Sequence, residues 1–480
     1  MTEAARAELL RLQAEAAPLE PDAGQRAALV AMAIGHAQHF LEALPDGPTY
    51  RGLADSPADP LDPEFAEDGR EPEATLAYLD RCVDRPGIAT ASPRFMGYVP
   101  GGGLFHSALG DFLAAASNKY AGFAPAAPGA VRLENATTAW LARVIGFPAS
   151  SAGTLTSGGS MANLTAIVAA REARDEEGGG AVYLSSTAHH CIEKALRIAG
   201  RRTAPLRLVP TDERHRMRAD RLEELLVKDR ADGVRPWLIV ASAGTVDAGA
   251  VDPLADIAGL CERYGAWFHV DGAYGGLFML CEEGRQILAG IERADTVALD
   301  PHKTLFLPYG TGAVVARDGR MLLDAFSASA DYIRPFAETG VGPSPGDLSP
   351  ELTRHFRALR LWLPLQLAGI RAFRSAQSEK IALARYFHER LSAMAGWEVG
   401  PAPDLSIVAF RYRPVRGDDD AFNRRLLQSL QEEGRVFLSG TRIAGADWLR
   451  CAILSFRTHL EHVDETIEVL TRLAAALEAE

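Results

Sequence analysis

Lysine is scarce in this chain, and one lysine stands where its chemistry would change. Five of the 50 basic residues are lysines, and Lys303 lies between the apolar runs TVALD and GAVVARD. Loss of hydration in such surroundings disfavours the ammonium form, and a neutral amine is what a Schiff base requires. A lysine that extends its ammonium group from a strand end to solvent is the alternative. The other four are expected at the surface, on polar helices or in a loop: Lys119, Lys194, Lys228 and Lys380.

An acid lies 32 residues before this lysine, at position 271 (303 minus 271). Asp271 closes the apolar run AWFHVD and is followed by the small residues of GAYGG. A carboxylate at the carboxyl end of a strand can hold the nitrogen of a pyridine ring protonated, which makes the ring an electron sink. The alternative is an ordinary cap of the following helix.

Glycines and hydroxyl residues open a strongly helical segment in GTLTSGGSMANLTAIVAAREAR. The first N–H groups of a helix have no partner within it, so they form a site for an anion, most often a phosphate. Gly158, Gly159 and Ser160 are the expected contacts. The segment fits neither GxxxxGK[ST] nor GxGxxG, which argues against a nucleoside triphosphate or a dinucleotide. It also lacks the GxSxG turn of hydrolases.

A histidine pair follows a strand in YLSSTAHHCIEKALRIAG. His189 is placed to stack on a flat ring, and a packing or capping histidine is the alternative. Adjacent side chains on one element point apart, and neither HExxH nor a third ligand is near His190, so we expect no metal site.

The elements that must position these residues alternate along the chain between about 86 and 375. Strands are predicted at AVYLSS, LRLVP, WLIVAS, AWFHVD, TVALD and GAVVARD, with helices between them. Such alternation predicts an α/β domain with a mostly parallel sheet covered by helices on both faces, where ligands bind at the carboxyl ends of the strands. Residues 376–480 are predicted to form a small α/β domain, and residues 1–85 an N-terminal helical segment.

Composition narrows the class of protein. The chain has 480 residues, a formal charge of −13, and apolar and charged fractions of 47% and 24%, which is typical of an acidic globular protein and argues against a nucleic-acid partner. Its five cysteines are scattered without a CxxC pair, which predicts a reducing compartment. The N-terminus lacks the basic and apolar regions of a signal peptide, and no apolar run is long enough to span a bilayer. We therefore expect a soluble, cytoplasmic protein that does not bind membranes.

Taken together, these features resemble the group II decarboxylases of amino acids, which depend on pyridoxal 5′-phosphate (PLP), and in particular the aromatic-L-amino-acid type. The resemblance covers nearly the whole chain. It rests on SPRFMGYVP, TSGGSMANL, AHHCIEKA, HVDGAYGG, DPHKTL, LSGTRIAGADWLRCAI and RTHLEHVD. It implies PLP fold type I and a homodimer whose N-terminal helices wrap the partner and whose active sites take residues from both chains.

The resemblance also implies residue roles. Lys303 would bind PLP as a Schiff base, Asp271 would pair with the pyridine nitrogen, and His189 would stack on the ring. Ala273 would pack against the other face of the ring. Further cofactor contacts are expected at Thr245, His302, Gly158, Gly159 and Ser160.

One residue that matches the family bears on which reaction the enzyme would catalyse. The stretch DAFSASADYIRPFAETGVGPSPGDLSP is rich in Gly, Pro and Ser, which predicts a loop. In the family a tyrosine at this place returns a proton to carbon after carbon dioxide leaves, and Tyr332 matches it. An ordinary exposed tyrosine is the alternative.

The substrate is left more open. The overall pattern favours α-decarboxylation of an aromatic L-amino acid to its amine. Asn118 and the lack of an aromatic residue just before SPRF weaken that choice. The alternatives are a decarboxylase of the glutamate, aspartate, sulfinoalanine or diaminobutyrate type, an aldehyde synthase that uses oxygen, and another PLP lyase of the same fold.

Overall fold

A computed structural model describes residues 2–52, 65, 67–174, 178–327 and 340–480. The chain divides into two compact units, Met1–Ser92 and Pro93–Glu480, which are described separately. No helix within the described ranges is long and apolar enough to cross a membrane.

The described residues of the first unit form three α-helices and a short antiparallel ribbon. They are α1 (Glu3–Glu15), α2 (Ala23–Ala43), β1 (Tyr50–Arg51), α3 (Pro72–Leu79) and β2 (Gly87–Ile88). Helix α2 begins with a capping box, in which Asp22 accepts the backbone N–H of Gln25 and the Gln25 side chain accepts that of Asp22. No residue of α1 or α2 is buried in the part of this unit that the structure describes.

The second unit is built on a seven-stranded sheet in the order β3-β9-β8-β7-β6-β4-β5. Its strands are β3 (Ala152–Thr156), β4 (Ala181–Ser185), β5 (Leu206–Val209), β6 (Pro236–Ser242), β7 (Trp267–Gly272), β8 (Thr296–Leu299) and β9 (Gly312–Ala316). Strand β9 is antiparallel to both of its neighbours, and every other pair is parallel. The predicted mostly parallel α/β sheet is confirmed, and β3 is a strand that the sequence did not indicate.

Helices cover both faces of this sheet. They are α4 (Phe105–Ser117), α5 (Pro128–Ile145), α6 (Gly159–Arg174), α7 (Cys191–Ile198), α8 (Ala219–Ala231), α9 (Leu254–Tyr264), α10 (Glu282–Ile287), α11 (Pro301–Thr304), α12 (Arg320–Phe326) and α13 (Ala358–Ser392). Alternate residues of β6 enter different apolar cores: Leu238 and Val240 join one, and Ile239 and Ala241 the other. Such two-sided burial explains why the central strands are almost continuously apolar.

A second, antiparallel sheet follows in the order β10-β11-β13-β12. Its elements are β10 (Trp397–Val399), β11 (Ile407–Tyr412), α14 (Asp419–Glu433), β12 (Ser439–Ile443), β13 (Ala446–Ala452) and α15 (Leu460–Glu478). This sheet packs on its own apolar core, which includes Phe387 and Phe410. The long helix α13 leads into it after a break at Gly369, whose φ of 74° lies in the left-handed region.

Lys380 corrects one expectation from the sequence. Its polar helical surroundings indicated a solvated lysine, but the residue is fully buried on α13. Its ammonium group donates to the carbonyl oxygen of Thr458 and lies 2.9 Å from a carboxylate oxygen of Glu379. Burial lowers the pKa of Lys380, and the Glu379 carboxylate opposes that effect.

Candidate active site

A cavity of about 340 Å³ lies at the carboxyl ends of β3, β4, β6, β7 and β8. Nine of the ten predicted site residues line it: Gly158, Gly159, Ser160, His189, Thr245, Asp271, Ala273, His302 and Lys303. The tenth, Tyr332, lies outside the described residues. The cavity thus brings together residues that are separated by up to 145 positions in the sequence (303 minus 158).

Lys303 enters the cavity from α11, the short helix that follows β8. Its Nζ lies 3.2 Å from Oδ2 of Asp300, and the two side chains are 25% and 3% exposed. Proline at the first position of α11 fixes the turn in which Lys303 and Asp300 face the same space. Asp300 was not predicted as a site residue, although an acid at the end of the strand TVALD, three positions before the lysine, was a usable signal.

Asp271 stands at the end of β7 and is 9% exposed. Its Oδ1 accepts a hydrogen bond from the backbone N–H of Ala273 at 3.1 Å. In the sheet it is flanked by Ser242 of β6 and Ala298 of β8. This register holds a carboxylate at the edge of the cavity, between two neighbours that bear no charge.

The imidazole of His189 is fixed by the start of α7, the helix that follows it. Its Nδ1 accepts the backbone N–H of Cys191 at 3.2 Å, so the proton of the neutral ring resides on Nε2. Burial lowers the pKa of His189, and the charge of Asp271 works against that shift. The ring of His190 lies 4.1 Å away, centroid to centroid. The result is a flat, neutral ring at the wall of the cavity.

A buried chain of hydrogen bonds runs behind this wall and was not predicted. Asn163 donates from Nδ2 to Sγ of Cys191 at 3.3 Å, and its Oδ1 lies 2.7 Å from Nε2 of His269. On the other side of that ring, Nδ1 lies 2.9 Å from Oγ1 of Thr296, which also accepts the indole N–H of Trp267 at 3.0 Å. Burial lowers the pKa of His269 to about 4 and raises the pKa of the Cys191 thiol to about 12.

The segment between β3 and α6 is shaped to admit an anion. Gly158 has a φ of 155°, and helix α6 starts at Gly159, so the N–H groups of Gly159 and Ser160 have no acceptor within the helix. A Cβ on Gly159 would come within 2.8 Å of Asp300 Oδ2 and 2.9 Å of the Ala273 Cβ. Only glycine therefore leaves the backbone N–H groups accessible at this point.

These residues fit a phosphate-bearing pyridine aldehyde such as PLP. The cavity offers an amine on Lys303, a carboxylate on Asp271, a flat neutral ring on His189, and N–H groups at the start of α6. In addition, Oδ1 of Asp300 is buried without a hydrogen-bond partner among the described residues, as expected of a polar atom that faces a ligand.

Comparison with known proteins agrees with this fit. The model of the pyridoxal-dependent decarboxylase conserved domain matches residues 59–413. The chain is 35% identical over 426 residues to the aromatic-L-amino-acid decarboxylase of Bacillus atrophaeus, covering 87% of this chain and 88% of that protein. It is also 30% identical over 437 residues to phenylacetaldehyde synthase of Arabidopsis thaliana, covering 86% and 89%.

Solved structures give the same result. The crystal structure of Oryza sativa TDC with PLP and tryptamine superposes with a TM-score of 0.90 at 26% identity, covering 96% of this chain and 99% of that one. That of mouse CSAD gives a TM-score of 0.86 at 26% identity, covering 95% and 99%. The protein is an amino-acid decarboxylase with PLP as its cofactor, and the chain belongs to the pyridoxal-dependent decarboxylase family.

Proposed function

We propose that this enzyme removes the α-carboxylate of an aromatic L-amino acid and releases the amine and carbon dioxide. The observation that carries the proposal is the meeting of Lys303 and Asp271 in one cavity with the anion site at Gly158–Ser160. The aromatic substrate is supported by relatives, since proteins named as aromatic-L-amino-acid, tyrosine and tryptophan decarboxylases match at least four fifths of the chain at 29–35% identity.

Each residue that would hold PLP has its own chemical role toward the cofactor. Nζ of Lys303 would form the covalent bond to the aldehyde carbon, and the carboxylate of Asp271 would keep a proton on the pyridine nitrogen. The neutral ring of His189 would stack on one face of the pyridine, and Ala273 would pack on the other. Thr245 and His302 would complete the wall, and the N–H groups at Gly158–Ser160 would bind the phosphate.

When bound, PLP supplies a conjugated ring that accepts the electron pair left by the departing carboxylate. With PLP bound, the walls that orient the amino acid would select decarboxylation over other outcomes by holding the bond to the carboxylate perpendicular to the ring. The α-carbon then needs a proton, and we assign Tyr332 as its donor on the strength of the family resemblance.

We also propose a homodimer. On α4, four large apolar side chains lie at helical spacing on one face and remain 36–53% exposed: Phe105, Leu109, Phe112 and Leu113. A further apolar groove of about 210 Å³ is lined by Trp140, Trp362 and Ile370. Exposed apolar surface of this extent is typical of an interface, and a second copy of the chain is the partner that the family resemblance implies.

A panel of L-amino acids tests the substrate. The holoenzyme is given phenylalanine, tyrosine and tryptophan, and separately glutamate, aspartate, cysteine sulfinate and 2,4-diaminobutyrate. Released carbon dioxide and the product amine are measured for each. We expect the highest kcat/KM with an aromatic amino acid. A preference for one of the four others would overturn the aromatic assignment while leaving the decarboxylase intact.

Aldehyde synthesis is the second candidate, because phenylacetaldehyde synthase is among the relatives at 30% identity. The same reactions, run in air, are assayed for aldehyde, ammonia and peroxide alongside the amine. Amine in amounts equal to carbon dioxide supports simple decarboxylation, and aldehyde in its place supports the second candidate.

A further inference from the structure

Asp300 is a buried carboxyl group that has no role in the proposed function described above. Its side chain is 3% exposed, and it lines the cavity between Lys303 and the anion site. Oδ2 lies 3.2 Å from the Lys303 Nζ, and Oδ1 has no hydrogen-bond partner among the described residues. One carboxyl group thus faces both the reactive amine and the place where the phosphate would bind.

Other polar groups around Asp300 do not satisfy Oδ1. His302 Nδ1 is 3.6 Å away, beyond hydrogen-bond distance, and it lies 2.8 Å from the carbonyl oxygen of Thr311, to which it must donate. Asp271 and His189 also line the cavity, but neither hydrogen-bonds Oδ1 of Asp300. The backbone of Gly158 and Gly159 is the remaining neighbour, since a Cβ on either would lie 3.9 Å or less from a carboxylate oxygen of Asp300.

We propose that Asp300 accepts a proton from Lys303 when PLP binds and then donates it as a hydrogen bond to the cofactor's phosphate. The N–H bond of the Lys303 ammonium breaks and an O–H bond forms on the Asp300 carboxylate. The products are a neutral amine, which retains the electron pair needed to attack the aldehyde carbon, and a neutral carboxylic acid. No proton is exchanged with solvent. The inference rests on the proposed roles of Lys303 and of the anion site at Gly158–Ser160.

Two physical arguments favour this transfer. When the cofactor fills the cavity, water leaves, and moving one proton between two buried partners removes two charges that would otherwise be poorly solvated. An ionised Asp300 would also face a phosphate across a few ångströms of low-dielectric space, where like charges repel strongly. A protonated Asp300 instead offers a donor to a group that only accepts hydrogen bonds.

The test compares Asp300→Asn and Asp300→Ala with the wild-type chain after removal of the cofactor. Two probes are used, pyridoxal and PLP, which differ only in the phosphate. Formation of the visible absorption band is followed by stopped flow, and affinities are measured by titration. Asp318→Asn is the control, because that aspartate also pairs with a basic side chain, Arg320, but lies outside the cavity.

Both variants lack the proton acceptor, so we expect the band to form at least about tenfold more slowly with pyridoxal and with PLP. Acetate should restore part of the rate in Asp300→Ala. The ratio of PLP to pyridoxal affinity should fall at least about tenfold in Asp300→Ala, the loss expected for one hydrogen bond to a charged group. In Asp300→Asn this ratio should change by less than about threefold, because the amide also donates.

Wild-type rates of band formation in both variants would overturn the role as proton acceptor. An affinity ratio that rises tenfold or more in Asp300→Asn would show that the carboxylate stays ionised beside the phosphate, and would overturn the role as donor. Reduction with borohydride followed by peptide mass analysis separates these failures from a failure of the proposed function. A label on Lys303 leaves the cofactor lysine in place whatever Asp300 does.

Discussion

Nε2 of His269 lies 2.7 Å from Oδ1 of Asn163, and this contact fixes the donor and acceptor roles in the buried chain of hydrogen bonds behind the cavity. Asn163 uses its amide hydrogen on Cys191, so its oxygen must accept from the imidazole. His269 therefore carries its proton on Nε2 and accepts at Nδ1 from the hydroxyl of Thr296. The ring is held neutral, two residues before Asp271 on the same strand.

The neutral state of His269 predicts a loss of stability in acid. Burial lowers the pKa of this histidine from 6.5 to about 4, so the unfolded chain binds the proton first as the pH falls. The neutral ring contributes fully to stability above pH 6.5, and this contribution is lost as the pH falls. At about pH 4 the loss of stability amounts to roughly 3 kcal/mol. Glutamine does not titrate, so we expect the free energy of unfolding of His269→Gln to fall by about 2–3 kcal/mol less than that of the wild type over this range. Denaturant unfolding at several pH values measures the difference, and parallel curves would contradict it.

Lys303 is predicted to be the residue that binds the cofactor covalently. The purified protein should be yellow, and borohydride should bleach it while adding the cofactor's mass to the peptide that contains Lys303. The Lys303→Ala variant should give no such label, whereas Lys119→Ala, which changes an exposed lysine, should be labelled normally. Peptide mass spectrometry shows which lysine carries the label, and a label on Lys119 would show that the assignment is wrong.

Asp271→Asn should fold normally and lose most of its turnover, because an amide does not hold the pyridine nitrogen protonated. Loss of one charge-assisted contact is worth about 1.5–3 kcal/mol, so kcat should fall at least about tenfold. Thermal unfolding checks that the fold is kept, and Asp318→Asn serves as the matched exchange outside the cavity. Near-normal kcat in Asp271→Asn would remove this residue from the mechanism.

The homodimer is predicted to be needed for activity, since residues of about 95–125 are expected to complete the partner's site. Dilution should lower the specific activity as monomers form. Phe112→Glu, which places a charge on the apolar face of α4, should shift the mass measured by light scattering toward the monomer and reduce activity with it. A monomer that is fully active would contradict this prediction.

Tyr332→Phe is predicted to bind PLP and substrate but to return a proton to carbon slowly. The product should then shift from amine toward aldehyde, ammonia and peroxide, because the unprotonated carbon stays exposed to oxygen for longer. Amine and aldehyde are quantified from one reaction in air. An unchanged amine yield at the wild-type rate would identify Tyr332 as an ordinary loop residue.

Much of the large sheet could be predicted because its strands are buried on both sides. Runs such as WLIVAS and AWFHVD are almost entirely apolar, which is a strong local signal, and they form β6 and β7. Strand β3 gave no such signal, because its sequence AGTLT consists of small and hydroxyl residues. It is a strand because β9 pairs along its whole length, a contact between residues more than 150 positions apart.

The site could be predicted only where a side chain's own neighbours indicate its chemistry. Asp271 ends one apolar strand and Lys303 closely follows another, so each could be proposed from the sequence, and both line the cavity. Asp300 also follows an apolar strand, which was a usable signal, but its closeness to Gly159 joins residues more than 140 positions apart and has no local pattern in the sequence. Lys380 has polar neighbours in the sequence, yet the turn before α15 covers it, so local polarity was misleading.

The pairing of β3 with β9 also decides when the cofactor site can exist during synthesis. Thr156 is the register partner of Gly312, so the turn to which we assign phosphate binding has no fixed support until the ribosome has released β9. Chains emerge at about 5–20 residues per second, so the first half of the domain waits for many seconds with β3 unpaired. At the proposed site, PLP would therefore bind only after the sheet is complete. It would then act by mass action, as a ligand that traps the completed sheet.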